Sequence, residues 1–162
     1  MIWGWPGRLY EGHDEDPSGI WRWKDIWCKA GLYLRRLYLA WTPRGHASVH
    51  WLHKPDSADH HDHPASFLSI VLRGGYVEEV ATYDQCWDRH AGGAVRWDVH
   101  TRRVRWFNFK RAEDAHAIRE IEPGTVTLVL WGRRRRPWGF WVPTRPGSLG
   151  YTWTPWEEYE ER

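Results

Sequence analysis

The sequence has little cysteine, and it contains no long apolar run. Cys28 and Cys86 are its only cysteines, and two are too few for a disulfide framework, so we expect reduced thiols in a cytoplasmic protein. No stretch approaches the roughly 20 apolar residues that cross a bilayer, and the N-terminus lacks the basic and apolar segments of a signal peptide. We therefore predict a cytoplasmic protein with no membrane partner.

An excess of charge of one sign is also missing. The 23 basic and 21 acidic residues leave a formal net charge of +2. Proteins that bind a duplex usually carry a strongly basic face, so this balance argues against a nucleic-acid partner in spite of the arginine run at 133–136. Arginine does offer planar, bidentate recognition of carboxylate or phosphate groups. The same run is therefore a candidate binder of a small anion.

Aromatic residues, in contrast, are abundant. The 162 residues include 15 tryptophans, and such a composition excludes a largely disordered chain. At this length one domain is the default, so we predict a single domain over 1–162. Its first thirty residues mix Gly, Pro, Asp and Trp without a period, which indicates an irregular tryptophan-rich arm over 1–30. We expect most of the tryptophans to fill and rim the body of the fold.

Short segments in which apolar and polar residues alternate follow the arm. Alternation predicts strands at 32–41, with one irregularity at Arg35 and Arg36, and at 47–53, 66–72, 76–82, 95–100, 104–110, 115–121, 125–131 and 138–142. Their spacing near ten residues predicts an antiparallel sandwich or barrel over 31–145. Near the end, a threonine, a proline and a glutamate form a capping box, which predicts a short helix over 154–162.

Histidines at alternate positions form the densest chemical feature, in the segment DHHDHP. Because strand side chains alternate, His61 and His63 project from one face, and His60 and Asp62 from the other. A divalent metal needs a third protein ligand, and His116 on a later predicted strand is the leading candidate. Three such ligands leave coordination positions open, as a catalytic metal site requires. A second register stays open, in which His60, Asp62 and His116 form a triad of two histidines and a carboxylate.

This arrangement resembles the two-motif metal site of the cupin superfamily. The string HDHPxxFxSxxLxGGYxE at 61–78 and the string TLVLxGxRRRxWGF at 127–140 are similar to those of small bacterial and phage cupin-like proteins. The resemblance implies an all-β, cupin-type double-stranded β-helix (jelly-roll) barrel with a metal on His61, His63 and His116. Leu68 holds the position where the first cupin motif usually has a glutamate, so the implied ligand set resembles that of three-histidine oxygenases.

The resemblance also implies a metal-dependent function. The leading hypothesis is a mononuclear non-haem iron oxygenase that acts on a small polar or anionic molecule. Three imidazoles suit Fe(II), and also Zn, Ni, Mn or Cu. The alternatives are a non-catalytic ligand-binding cupin and a redox-neutral isomerase, epimerase or lyase for a sugar or nucleotide. A homodimer formed through exposed strand edges is compatible with each of them.

Further residues are candidates for supporting roles. Tyr76 and Glu78 follow a glycine turn on one predicted strand face and could serve as proton donor and base. If the arginine run lies on a strand, Arg134 and Arg136 share a face and could hold an anionic substrate. His53 is a candidate outer partner for a ligating imidazole. His50, on the same predicted strand, is expected to be a surface residue.

Overall fold

The structure, a computed structural model, describes residues 21–28, 31–56, 59–83, 95–144 and 150–159. Twelve strands and no helix occur in these ranges. The strands are β1 (Arg22–Cys28), β2 (Gly31–Thr42), β3 (Gly45–Leu52), β4 (His60–His61), β5 (Phe67–Arg73), β6 (Tyr76–Tyr83), β7 (Val95–Val104), β8 (Phe107–Lys110), β9 (Ala115–Ile121), β10 (Val126–Trp131), β11 (Gly139–Pro143) and β12 (Gly150–Pro155). Within the same ranges, no helix is long and apolar enough to cross a membrane.

The strands form two antiparallel sheets, and from β3 to β10 the chain passes back and forth between them. The first sheet has the order β1-β2-β3-β10-β5-β8, and the second is a closed sheet with the order β11-β12-β7-β6-β9-β4. The eight strands from β3 to β10 therefore pair as β3-β10-β5-β8 in one sheet and β4-β9-β6-β7 in the other. This is the order of a jelly roll, in which two Greek keys wrap two sheets face to face. The predicted cupin-type, all-β double-stranded β-helix is confirmed.

Both ends of the described chain extend the sheets. The predicted irregular arm is wrong for its described part, because β1 pairs with β2 from Arg22 opposite Tyr38 to Cys28 opposite Gly31, while residues 1–20 and 29–30 lie outside the described residues. At the other end, β11 pairs with β4 and β12 pairs with β7. These two strands close the second sheet and cover edges that would otherwise stay unpaired.

The predicted C-terminal helix is not present in its described part. Strand β12 runs through Thr154 and ends at Pro155, and a turn follows over 156–158. The backbone of Thr154 lies opposite Phe140 of β11, so sheet pairing replaces the predicted helix start. Residues 160–162 lie outside the described ranges.

An apolar cluster fills part of the interior between the sheets. Ile26, Leu34, Leu52, Tyr76 and neighbouring residues form a buried apolar cluster. The expectation for tryptophan holds only in part, because Trp131 and Trp138 line the central cavity whereas others lie on the surface. Within the part of the chain that the structure describes, the exposed tryptophans are Trp21, Trp23, Trp27, Trp41 and Trp106.

Candidate metal centre

Strand pairing brings the three predicted histidine ligands together. His61 of β4 lies directly opposite His116 of β9, and the backbone N–H of His63 donates to Ala112 O at 2.9 Å. The Nε2 atoms of His63 and His116 are 2.8 Å apart. One ligand atom from each of the three histidines lies within 4.8 Å of the other two. The cluster predicted from the alternating HxH pair and the distant histidine is therefore present in the fold.

Asp62 explains why His61 and His63 face the interior. It points the opposite way and is fully buried, with Oδ1 accepting from the backbone N–H of Gly139 at 2.8 Å. Its Oδ2 accepts from Arg136 Nη1 at 2.8 Å and from Trp153 Nε1 at 3.0 Å. The carboxylate thus clamps the histidine segment to β11 and β12. The alternative triad that includes Asp62 is wrong, because both of its oxygens are bonded on the far side of the strand.

The arginine run at 133–136 does not lie on a strand. The predicted substrate-binding role of Arg134 and Arg136 required a strand, on which the two side chains would share a face. The run instead forms the connection between β10 and β11. Arg136 donates to Asp62 and to Ala112 O at 3.1 Å, so it holds the histidine segment in place. Arg134 is exposed and does not line the cavity at the histidines. Neither Arg134 nor Arg136 is therefore positioned to bind a substrate in that cavity.

Burial keeps His61 and His63 neutral, as metal ligation requires. Burial lowers the pKa of His61 to about 4, and burial, with its histidine neighbours, holds the pKa of His63 well below its usual value. The Nδ1 atom of His61 is buried with no hydrogen-bond partner among the described residues. A divalent ion is a natural partner for such neutral nitrogen donors, so the residues present fit a metal.

The spacing of the nitrogens agrees with this fit. Two nitrogens that bind one ion at about 2.1 Å and at right angles lie roughly 3 Å apart. The 2.8 Å between His63 and His116 is close to that separation. In the absence of an ion, one of the two nitrogens would have to donate a proton to the other.

Glu78 holds His116 in position, which differs from its predicted role as a base. Its carboxylate is fully buried and lies 2.8 Å from His116 Nδ1 and 3.2 Å from Lys110 Nζ. Arg102 and Asn108 Nδ2 also donate to it. Burial raises the pKa of Glu78, but the bond from His116 and the nearby cations outweigh burial and lower the pKa to about 2. An ionised carboxylate can only accept a hydrogen bond, so His116 donates from Nδ1, and Nε2 is the nitrogen directed at the centre.

Tyr76 is the first residue of β6, directly after the glycine turn, as the sequence predicts. It is buried and lines the same cavity, and its hydroxyl accepts a hydrogen bond from Asn108 Nδ2 at 3.0 Å. Burial raises the pKa of Tyr76 to about 12. The hydroxyl therefore stays protonated at neutral pH and can act as a donor.

The structure reverses the predicted locations of His53 and His50. His53, the candidate outer partner, is exposed, follows the end of β3 and does not line the cavity. His50, expected on the surface, is buried and lines the cavity, with Nε2 at 3.0 Å from Ser48 Oγ. The parity of β3 explains both results, because Ser48, His50 and Leu52 face inward.

The cavity beside the histidines has a volume of about 160 Å³. Phe67, Trp131, Trp138 and Phe140 form its aromatic walls, and Arg36, Ser69 and Thr127 add polar groups. Pockets for drug-sized ligands usually measure roughly 300–1,000 Å³. This cavity suits a smaller molecule, held beside the nitrogens of the three histidines.

Comparison with known proteins finds solved structures of similar fold but no relatives by sequence. No protein-family model and no curated protein matches the chain. Among solved structures, KdgF from Halomonas sp. is 19% identical with a TM-score of 0.47, and the match covers 70% of this chain and 89% of that one. An RmlC-like cupin from Shewanella frigidimarina is 17% identical with a TM-score of 0.43, covering 79% and 96%. The hydroxypropylphosphonic acid epoxidase from S. wedmorenis is 15% identical with a TM-score of 0.43, covering 75% and 62%.

Proposed function

We propose that this protein is a metal-dependent enzyme that holds one divalent ion on His61, His63 and His116 and acts on a small molecule in the adjoining cavity. The observation that carries this proposal is the convergence of three imidazoles, each with a ligand atom within 4.8 Å of the other two, with the buried Glu78 behind His116. A carboxylate behind a ligating histidine is the usual outer support of a metal site. The cavity at the open side of the cluster gives a substrate access to the ion.

Within this class we propose a mononuclear non-haem iron oxygenase. The donor set consists of nitrogens alone, since Leu68 on β5 stands where a cupin glutamate would be and pairs its backbone with Leu130 and Phe109. When bound, a ferrous ion would supply Lewis acidity and redox chemistry with dioxygen. Zn, Ni, Mn and Cu also accept three imidazoles, so activity with each metal is part of the test.

The protein's own residues would orient the substrate and control a proton. The hydroxyl of Tyr76 stays protonated at neutral pH because burial raises its pKa to about 12, so it would donate a hydrogen bond or a proton to a substrate oxygen. Phe67 packs against His63 with ring centroids 4.8 Å apart, and Trp131 packs against the same histidine at 5.5 Å. These rings would shield the cluster from water and fix the plane of His63.

One observation favours a second candidate, a redox-neutral isomerase, epimerase or lyase. Such reactions need a proton donor close to a Lewis acid, and Tyr76 lines the cavity together with all three histidines. The same residues would then act without oxygen. The oxygen requirement of the reaction separates the two candidates.

The experiment that tests the proposal is turnover by protein reconstituted with each metal in turn. We would follow oxygen consumption and product formation with a panel of small thiols, keto acids and sugar acids, in air and under anaerobic conditions. Oxygen-dependent turnover with iron supports the oxygenase, and turnover without oxygen supports the redox-neutral enzyme. Ligand binding without turnover under every condition would contradict the enzyme proposal and leave a binding protein. His61→Ala is the inactive control, and His53→Ala, at an exposed histidine outside the cavity, is the matched active control.

A further inference from the structure

A second cavity lies beside the cavity of the histidine cluster. Its volume is about 290 Å³, and Trp131 and Trp138 line both cavities. The turn between β2 and β3 and the connection from β10 to β11 contribute most of its lining. Gly45 allows the two to approach each other, because its φ is +148° and an added Cβ would overlap the carbonyl oxygen of Trp131. None of the three proposed metal ligands lines this second cavity.

Four indole rings and one imidazole line the second cavity, and they are stacked on each other. Trp41 stacks on His46 with ring centroids 4.7 Å apart and planes 17° apart, and His46 stacks on Trp131 at 5.7 Å and 19°. Trp138 and Trp156 form another stack, at 5.9 Å with planes 4° apart. Rings that pack on each other are already ordered, so a ligand that stacks on them has less ordering entropy to overcome.

Two guanidinium groups bring positive charge to the same cavity. Arg133 and Arg134 are exposed and line it. Within the part of the chain that the structure describes, no carboxylate or amide side chain lines this cavity. A sugar ring would therefore find few acceptors for its hydroxyl groups, whereas an aromatic ring has none to satisfy and stacks well on indole. The lining thus favours a flat aromatic ligand with a negative charge.

We propose that the second cavity binds an aromatic carboxylate, with its ring against the indoles and its carboxylate at Arg133 and Arg134. A guanidinium matches a carboxylate with two parallel N–H donors, which a point charge does not. This inference goes beyond the proposed function and does not depend on it, because the binding residues include no proposed metal ligand. The arginine run thereby has an anion-binding role outside the cavity of the histidine cluster.

The test is a titration of the purified protein with matched probes, followed by the chemical shifts of its backbone amides. The aromatic anion is 2-naphthoate, its neutral counterpart is 2-naphthamide, and decahydro-2-naphthoate is an anion of similar shape without an aromatic face. We expect 2-naphthoate to bind at least about 3-fold more tightly than either of the others, since charge pairing and ring stacking each contribute. The largest shift changes should occur at 41–46 and 131–134.

The contribution of charge is tested in the arginine run. The double variant Arg133→Met, Arg134→Met should weaken 2-naphthoate binding by about 3- to 30-fold, because a charge pair at an exposed arginine contributes up to roughly 5-fold. The same variant should bind 2-naphthamide like the original protein. Arg135→Met is the matched control, since Arg135 is exposed in the same run and does not line the cavity.

The contribution of stacking is tested at Trp41, which is 42% exposed. Trp41→Ala should weaken 2-naphthoate binding by at least about 5-fold, as expected for a lost stacking partner. Trp106→Ala is the matched control, because Trp106 is 79% exposed and lies outside the cavity. All the replaced side chains are exposed, so the variants should keep the amide spectrum of the original fold.

Several results would overturn the inference. The first is the absence of saturable 2-naphthoate binding, and the second is equal binding of 2-naphthoate and 2-naphthamide. Equal binding by the double arginine variant and Arg135→Met would remove the charge from the account, and equal binding by Trp41→Ala and Trp106→Ala would remove the stacking. Tighter binding of glucuronate than of 2-naphthoate would assign the cavity to a sugar acid instead.

Discussion

The change Glu78→Gln tests how the fold supports the proposed metal ligands. The side chain is fully buried and contacts His116, Lys110 and Arg102. Glutamine keeps the shape but removes the charge, so Lys110 is left as a buried cation. Breaking a buried ion pair from one side costs about 3–5 kcal/mol. We expect a value near the lower end, about 3 kcal/mol, because burial already lowers the pKa of Lys110 and the amine can lose its proton.

The effect on metal affinity is separate from the effect on stability. Glutamine cannot hold the Nδ1 proton of His116 as strongly as a carboxylate, so Nε2 becomes a poorer ligand. Loss of such an outer partner usually lowers metal affinity by about 10- to 100-fold. We would measure zinc affinity by competition with a chromophoric chelator, and the free energy of unfolding by urea titration of the metal-free protein.

Two further variants make the Glu78→Gln result decisive. The double variant Glu78→Gln with Lys110→Met removes the stranded cation, so it should recover part of the stability but none of the metal affinity. Glu79→Gln is the control on the same strand, since Glu79 pairs with Arg119 at 2.7 Å on the other face, and it should leave metal affinity unchanged. Unchanged zinc affinity in Glu78→Gln, or full recovery of affinity in the double variant, would refute the proposed role.

Three other predictions follow from the same contacts. Tyr76→Phe should reduce turnover about 100- to 10,000-fold, as expected when a general acid is lost, and should leave zinc affinity nearly unchanged; unchanged turnover would contradict this role. Metal-free protein should have a lower urea midpoint at pH 5 than at pH 7. The reason is that burial lowers the pKa of His60 and of His61 to about 4 in the fold, from 6.5 in the unfolded chain. The unfolded chain therefore binds protons first, and stability falls as the pH drops from 6.5 towards 4. Equal midpoints at the two pH values would contradict the lowered pKa values. Gly139→Ala should lower the free energy of unfolding by at least about 1–3 kcal/mol, because the added Cβ would lie 2.1 Å from Thr154 O. Gly132→Ala should cost much less, since the nearest atom to its added Cβ lies at 3.3 Å. Similar costs at both glycines would contradict the close pairing of β11 with β12.

Alternation along the chain is sufficient to predict the main strands and to predict that His61 and His63 share a face. Side-chain parity places His61 and His63 on one face, and the structure agrees because Asp62 between them is buried on the other side. The register that names Asp62 as a ligand has the same local spacing. What decides between the two is the bonding of Asp62 to Gly139 and Arg136, more than seventy residues away in the chain, which local patterns do not contain.

The position of Arg36 was missed for a different reason. The sequence pattern places the irregularity of β2 at Arg35 and Arg36, but the structure places it between Tyr38 and Ala40. With that shift, Arg36 faces the interior and Arg35 faces solvent. An apolar–polar pattern cannot show this, since a buried cation interrupts the alternation on which the prediction depends. Strand β4, only two residues long, is also too short to predict from alternation.

The role of Glu78 could have been predicted only in part. Its parity with Tyr76 places both on the inner face, and both are buried there. Parity does not show that Lys110 and Asn108 arrive from β8 to bond with the carboxylate. Those contacts hold Glu78 ionised and bonded to His116, so its carboxylate supports the histidine and does not face a substrate.

The measurement that tests the central claim most directly is the metal content of the purified protein. We would produce the protein and a His61→Ala, His63→Ala variant with iron, zinc, nickel, manganese or copper in the medium, and measure metal per chain after dialysis. The account predicts about one equivalent of one divalent metal in the protein and less than about a tenth of an equivalent in the variant, with His53→Ala retaining the full amount. No stoichiometric metal under any supplement, or equal occupancy in the double variant, would contradict the claim that His61, His63 and His116 form a metal centre.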